Sequence, residues 1–204
     1  MELDQIIKER KSIRKFKNLD VPWYLISECL DAAHHAPSSG NVQNWRFIVV
    51  RNKETREKLG KICDEQYWVI RSPVLIIVCS ELSKIRKFFG VRGEALYAVQ
   101  NCAAAIQNLV LKAHELGLGT VWIGAFDELK LKELLKIDSE IRPQAIIALG
   151  YPETFAEKPK REPLENFVSF EKYGQREDKE RSKLIPVADN LSKGIHKMLV
   201  KHRR

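Results

Sequence analysis

One long segment, "GEALYAVQNCAAAIQNLVLKAHEL", constrains the fold more than any other part of the chain. From about Gly93 to Leu116, residues Leu96, Val99, Ala103, Ile106, Leu109, Val110 and Ala113 recur at helical spacing and form a wide apolar stripe. Gly117 and Gly119 follow as C-cap and turn. Ala103, Ala104 and Ala105 let a neighbouring element approach closely. Such a helix has to be covered over much of its girth, so the segment predicts a central core helix, also suited to a subunit interface.

The rest of the chain reads as elements arranged around that helix. "ELDQIIKER" predicts a short helix with Leu3, Ile6 and Ile7 turned inward. "LDVPWYLISECLDAAHHAP" predicts a second helix, with Asp20 as N-cap, Pro22 in the first turn where a missing N–H costs nothing, and Pro37 as the stop. "WRFIVV" and "PVLIIVC" read as strands, with "ETREKLGKICDEQYWVI" between them at helical spacing. After the long helix come a strand "TVWIG", a helix "DELKLKELLKI" capped by Asp127, and a strand "AIIALGY". Mixed α and β around one sheet is the expected class.

At 204 residues and 44% apolar composition, the chain closes one sizeable core. No run reaches membrane-span length, and the start "MELDQIIKERK" has no apolar signal core, so the expectation is a soluble, cytoplasmic protein. Cys29, Cys63, Cys79 and Cys102 are widely spaced and form neither a CxxC pair nor a Cys/His cluster, which predicts buried free thiols and no metal site. His34 and His35 have no third ligand at suitable spacing. Most of the formal charge of +8 belongs to the tail from Gly174, where nine Lys/Arg face four Asp/Glu. That tail could attract nucleic acid or acidic membrane, or it is a solvated amphipathic helix with Leu191, Ile195, Met198 and Leu199 on one face and Lys193, Lys197 and Lys201 on another. The charged content of 30%, rich in Lys and Glu, also fits a thermophile's surface.

Four local features remain once the core is assigned. "RKSIRKF" gathers Arg10, Lys11 and Arg14 around Ser12, a donor set for phosphate oxygens or else a solvated basic face. "APSSGNVQNW", residues 36–45, is a turn rich in polar groups between a helix and a strand, able to bond the edge of a heteroaromatic ring. In "GLGTVWIGAFD" a strand ends in Gly124 and Ala125, where small residues let backbone N–H groups approach a flat ligand, or simply turn the chain. "KPKREPLENF" holds a second basic cluster, Lys158, Lys160 and Arg161, either a solvated loop or the other half of an anion clamp.

These four features occur in the order and spacing of the FMN-dependent nitroreductase family, which the chain resembles from about Leu3 to Tyr173. "RKSIRKF" resembles the family's opening Arg-Arg-Ser-x-Arg-x-Phe, and "APSSGNVQNW" its Ala-Pro-Ser-Ser-x-Asn-x-Gln-Pro-Trp motif. "LGLGTVWIGAFD", "IIALGYP" and "KREPLENFV" are similar to its later segments. The resemblance implies an α+β fold with a central, mostly antiparallel sheet flanked by helices, and an obligate homodimer with FMN at the subunit interface. It divides the chain into a flavin-binding domain, residues 1–173, and a basic C-terminal extension, 174–204, ending in an amphipathic helix.

Carried across residue by residue, the resemblance places Arg10, Lys11 and Ser12 on the flavin phosphate, joined by Lys160 and Arg161 from the far end of the chain. Arg14 would lie nearer the pyrimidine edge, where a cation favours the anionic reduced ring. Pro37, Ser38, Ser39 and Asn41 would come from the other subunit, Gln66 would make a polar contact to the ring, and the backbone of Gly124 and Ala125 would face N5. No catalytic side chain is implied. The activity implied is a ping-pong oxidoreductase in which NADH or NADPH reduces the flavin and a nitroaromatic, quinone or enone-type acceptor reoxidises it. Phe88, Phe89 and Tyr97 either wall the acceptor pocket or pack in the core.

The sequence departs from the pattern in two places: Asn44 stands where the family has proline, and Gly124 stands where some nitro-reducing members carry Glu. The short Ser80–Gly93 segment argues against a large substrate lid. Two alternatives stay open: a specialised member acting on one metabolite, of dehalogenase or flavin-consuming type, and a non-catalytic flavin- or nucleic-acid-binding module that works through the tail. The tail lacks interleaved aromatics on which bases could stack.

Overall fold

The computed structural model describes residues 2–64, 66–154 and 160–175. The chain separates into two compact units, residues 1–158 and 159–204. The first holds helices α1 (Leu3–Glu9), α2 (Trp23–His34), α3 (Lys53–Ile62), α4 (Leu82–Arg92), α5 (Ala98–Glu115) and α6 (Glu128–Leu135). Its strands are β1 (Trp45–Val50), β2 (Val74–Glu81), β3 (Gly119–Ile123) and β4 (Ile141–Gly150). The second unit shows a 3₁₀ turn at Leu164–Asn166. The expected C-terminal helix and its charged faces lie outside the described residues.

The strands form one sheet in the order β1-β2-β4-β3, with all three pairings antiparallel. This is the α+β architecture anticipated from the sequence. β2 is apolar from Val74 to Cys79 because both of its faces are covered there. Val74, Ile76 and Val78 join a core with Ile26, Cys29, Ile106 and Leu109 from α2 and α5. Leu75, Ile77 and Cys79 join a second core with Leu59 of α3 and Leu131 of α6. Each fully buried Ile contributes about 2 kcal/mol, so this strand alone anchors both layers. The register shifts between Val78 and Cys79, and Pro143 of β4 sits opposite Cys79 at that irregularity, where a residue without an N–H is tolerated.

Several boundaries differ from the sequence reading. α2 begins at Trp23 with Pro22, not Asp20, as N-cap; the Pro22 carbonyl accepts from the N–H groups of Leu25 and Ile26 at 3.1 and 3.4 Å. The helical pattern after β1 breaks at Cys63, because Asp64 turns the chain at φ 47° and a 3₁₀ turn, Tyr67–Arg71, follows. Asn52 caps α3 by accepting from the Thr55 N–H at 3.0 Å, and Asp127 caps α6 by accepting from the Lys130 N–H at 3.0 Å. That bond and the Lys130 ammonium hold the Asp127 carboxyl below its ordinary value. On α1 only Ile6 is buried, while Leu3 and Ile7 lie exposed. The segment after β2 is a helix, α4, that periodicity did not suggest.

The long helical segment begins as a single π turn, Gly93–Tyr97, before α5 starts at Ala98. That extra residue per turn rotates the following face. Val99 consequently reaches solvent at 44% exposure, and Asn101, a polar residue outside the apolar stripe, is 4% exposed. All four cysteines are free and buried, and burial pushes the thiols up to about 12. Among the described residues no helix is long and apolar enough to cross a membrane.

Candidate functional site

The basic stretch after α1 is extended and lies along the outer edge of β3. Ser12 bridges Thr120 in parallel, and the Ile13 N–H donates to the Thr120 carbonyl at 2.9 Å. Gly119 makes this approach possible, since a Cβ there would lie 2.8 Å from the Cβ of Ile13. Ile13 is buried in the α3/α6-side core, so its neighbours Arg10, Lys11 and Ser12 are held half-buried and Arg14 exposed.

Because the pairing is parallel, the chain from Ser12 to Arg14 runs the same way as β3 towards Gly124. The step from Thr120 to Gly124 is about 13 Å of strand. At that far end Gly124 and Ala125 are exposed, and a Cβ built on Gly124 meets nothing within 4 Å. The Arg14 guanidinium stands over the Trp68 ring at 5.7 Å from its centroid. Trp68 belongs to the 3₁₀ turn that Gln66 opens, and the Asp127 N–H donates to the Ile62 carbonyl at 3.0 Å. Arg14 thus meets the turn after α3, and the start of α6 is joined to the end of α3.

At the near end, Arg10 and Lys11 stand beside His114 on the last turn of α5. Burial holds the imidazole below its ordinary pKa; Glu9 opposes that shift, while Arg10 and Lys11 add to it. The His114 Nε2 is buried and has no hydrogen-bond partner among the described residues. Arg10, Lys11 and the Ser12 hydroxyl are consecutive donors of the kind that suit an anion.

The 36–45 loop is built differently. Gly40, Asn41 and Gln43 have φ of 56°, 56° and 50°. The Ser39 N–H and hydroxyl both donate to Asn101 Oδ1, at 3.0 and 3.2 Å. Asn101 Nδ2 donates to Asn44 Oδ1 at 2.6 Å, and Asn44 Nδ2 donates to Ser80 Oγ at 2.7 Å. Asn44 is fully buried, so the proline-to-asparagine departure adds polar bonds to the core beneath the loop. The Gln43 N–H donates to Ser38 Oγ at 3.0 Å, and Gln43 Nε2 to Asn41 Oδ1 at 2.8 Å. Pro37 and Asn41 are left exposed.

Asn101 and His114 lie thirteen residues apart on α5, about 20 Å along its axis. Within one chain, then, the cationic stretch and the 38–43 loop occupy opposite ends of the same helix. Lys160 and Arg161 belong to the second unit and are exposed there.

Phe89 and Tyr97 are half-buried and meet edge to face at 5.3 Å, against Val42, Ile85 and Ala98. Phe88 is 63% exposed. His34 accepts from the Trp45 indole N–H at 3.5 Å, and His35 donates to the Asp31 carbonyl at 2.9 Å. An open groove of about 590 Å³ lies between α2 and the edge strand β1, lined by residues that include Asp31, His34, Gln43, Arg46 and Lys84. It, and the buried Asn101, were not anticipated from the sequence. A polar residue inside an apolar helix was the available sign.

The Nitroreductase family model matches residues 7–73 and 63–151 of the chain. A provisionally named NADH dehydrogenase/NAD(P)H nitroreductase of Methanothermobacter thermautotrophicus is 41% identical over 165 residues, covering 78% of this chain and 80% of that protein. The FMN reductase [NAD(P)H] of Bacillus subtilis is 27% identical over 187 residues, covering 84% and 75%. The solved structure of an FMN-dependent nitroreductase from Clostridium difficile superposes with a TM-score of 0.70 at 27% identity, covering 83% of this chain and 99% of that one. With motifs, sheet topology and relatives in agreement over one continuous stretch, the chain belongs to the nitroreductase family.

Proposed function

We propose that the protein is an NAD(P)H-dependent FMN oxidoreductase whose flavin sites each draw on two copies of the chain. The observation that carries this reading is the separation along α5. One copy cannot bring its Arg10 stretch and its own 38–43 loop to a single ligand across about 20 Å of helix, whereas a second copy can bring its loop to the first copy's cations.

The residues present fit FMN. Arg10, Lys11 and Ser12 bind the phosphate, and the resemblance assigns Lys160 and Arg161 to the same group. Arg14, fixed over Trp68, sets a positive charge at one edge of the ring. Gly124 and Ala125 offer backbone N–H groups on an open face, and Gln66 contacts the same side. Pro37, Ser38, Ser39 and Asn41 of the second copy close the site. Bound there, FMN supplies hydride acceptance from NADH or NADPH and hydride donation to a nitroaromatic, quinone or enone-type acceptor. The chain's residues supply position, charge and exclusion of water, and no side-chain acid or base is assigned. In this reading the flavin-binding domain is residues 1–173, with 174–204 as an extension to it.

The test is an anaerobic absorption titration of the purified protein. A yellow protein that bleaches with NADH or NADPH and recovers with a quinone or nitroaromatic is the expected result. A colourless protein that takes up no added FMN overturns the reading. Sedimentation should show flavin only on the dimer; a flavin-loaded monomer would remove the shared site.

A further inference from the structure

We infer that Asn101 is the positioning residue for the 38–43 loop, and that through it α5 sets how tightly the loop's flavin site holds its ligand; this rests on the flavin reading above. The loop carries two non-glycine residues, Asn41 and Gln43, at φ of 56° and 50°. Asparagine tolerates left-handed backbone, but at Gln43 it is sterically disfavoured and persists only where the surroundings impose it.

Asn101 imposes it from both ends. Its Oδ1 takes the Ser39 N–H and hydroxyl at 3.0 and 3.2 Å, while its Nδ2 holds Asn44 at 2.6 Å. One side chain thus fixes both the entry to the loop and its exit. Asn44 is locked in turn, by its amide on Ser80 Oγ at 2.7 Å and by its carbonyl, which accepts from the Glu81 N–H at 2.7 Å. At 4% exposure Asn101 has no water to replace these partners, and its 2.6 Å bond lies in a dry environment where misalignment is costly. Both donors of Ser39 are directed inward, so Ser39 helps to close the site by holding the loop's shape, and the exposed Pro37 and Asn41 are what the loop presents.

Asn101→Asp is the conservative variant, because burial without a countercharge keeps its carboxyl protonated. The carbonyl oxygen still accepts both bonds from Ser39, and the O–H donates to Asn44 Oδ1 in place of the amide. Asn101→Leu keeps the volume and loses every bond.

The experiment measures the FMN dissociation constant by flavin fluorescence, together with the melting temperature, for wild type, Asn101→Leu, Asn101→Asp and the core control Leu109→Ala. Leu109 is fully buried on the same helix and touches no loop residue by hydrogen bond. Asn101→Leu should weaken FMN binding roughly ten- to a hundredfold, the range for lost buried hydrogen bonds. Asn101→Asp should restore it to within about threefold, and Leu109→Ala should lower the melting temperature with binding kept within about threefold. Unchanged affinity in Asn101→Leu, or an Asp variant no better than Leu, overturns the inference. So does an equal loss in Leu109→Ala, which would make the effect one of general stability. If Asn101→Leu does not fold, Asn101→Ser, too short to reach Ser39, is measured instead, with a loss of about tenfold expected and wild-type affinity overturning the proposal. A wild-type protein that binds no FMN removes the flavin reading itself, whereas wild-type binding with an indifferent Asn101 removes only this inference.

Discussion

The two ends of α5 hold their neighbours by opposite means. At the N-terminal end the 38–43 loop is tied by side chains: Ser39, Asn44, Asn101 and Ser80 bond one another beneath it, and little of their polarity is left over. At the C-terminal end the 10–14 stretch is tied by backbone, through the Ile13 N–H on Thr120, and by the buried Ile13 side chain. Its cationic side chains take no part in that tie. One half of the proposed site is shaped in advance and contributes geometry; the other is only aimed and contributes charge. The difference predicts that damage to the first half costs stability as well as ligand, and damage to the second costs ligand alone.

The largest effect should come from removing charge. If the proposed phosphate contacts hold, Arg10→Ala combined with Arg161→Ala removes two charge-assisted bonds and should weaken FMN binding by on the order of a thousandfold, with the melting temperature of the apo-protein nearly unchanged. Flavin released on gel filtration checks this, and full retention would separate the two basic clusters. Next is Asn44→Pro, which installs the residue that the family pattern carries. Here it strips Asn101 and Ser80 of a partner in a dry site and places proline after Gln43, whose φ of 50° suits no pre-proline residue. A loss of about 3 kcal/mol, or some 8 °C in a thermal melt, is expected. A melt matching the parent would show that the loop holds itself.

A pair of glycines sharpens the contrast. Gly40→Ala combines φ of 56° with a Cβ only 2.9 Å from the Phe89 ring and should cost about 1–2 kcal/mol. Gly124→Ala meets open space and should stay within about 0.5 kcal/mol in denaturant unfolding while perturbing flavin uptake. Equal stability losses at both would erase the distinction between the regions.

The smallest effect is a pH slope. His114 is held below its unfolded pKa of about 6.5 by burial, so the unfolded chain binds the extra proton. Its stabilising contribution is complete above about pH 6.5 and declines as pH falls below that value. His114→Gln should flatten the apo-protein's stability between pH 7 and 5, and a parallel decline in both proteins would assign the slope elsewhere.

Much of this was legible in the sequence because it depends on periodicity. The β2 run, the capped α6 and the alternation that buries both faces of the sheet follow from local patterns, which tertiary packing here reinforces. Other features resisted such reading. Pro22 displaces Asp20 as the cap of α2 because no local rule ranks a carbonyl already in place against an available carboxylate. Leu3 and Ile7 of α1 sit on an apolar face that the described chain leaves bare, which periodicity alone counts as core.

The residue types of the site, their order and the resemblance they carry were therefore determined by sequence alone: the cations of 10–14, the polar turn of 36–45 and the small residues of 124–125. Tertiary structure alone decided that the first and second of these lie at opposite ends of one helix and that Asn101, hidden in an apolar segment, reaches the loop 62 residues before it. The physical reason is that hydrophobic spacing reports which face of an element is dry. It carries no information about which distant polar group will enter that dry space and be satisfied there.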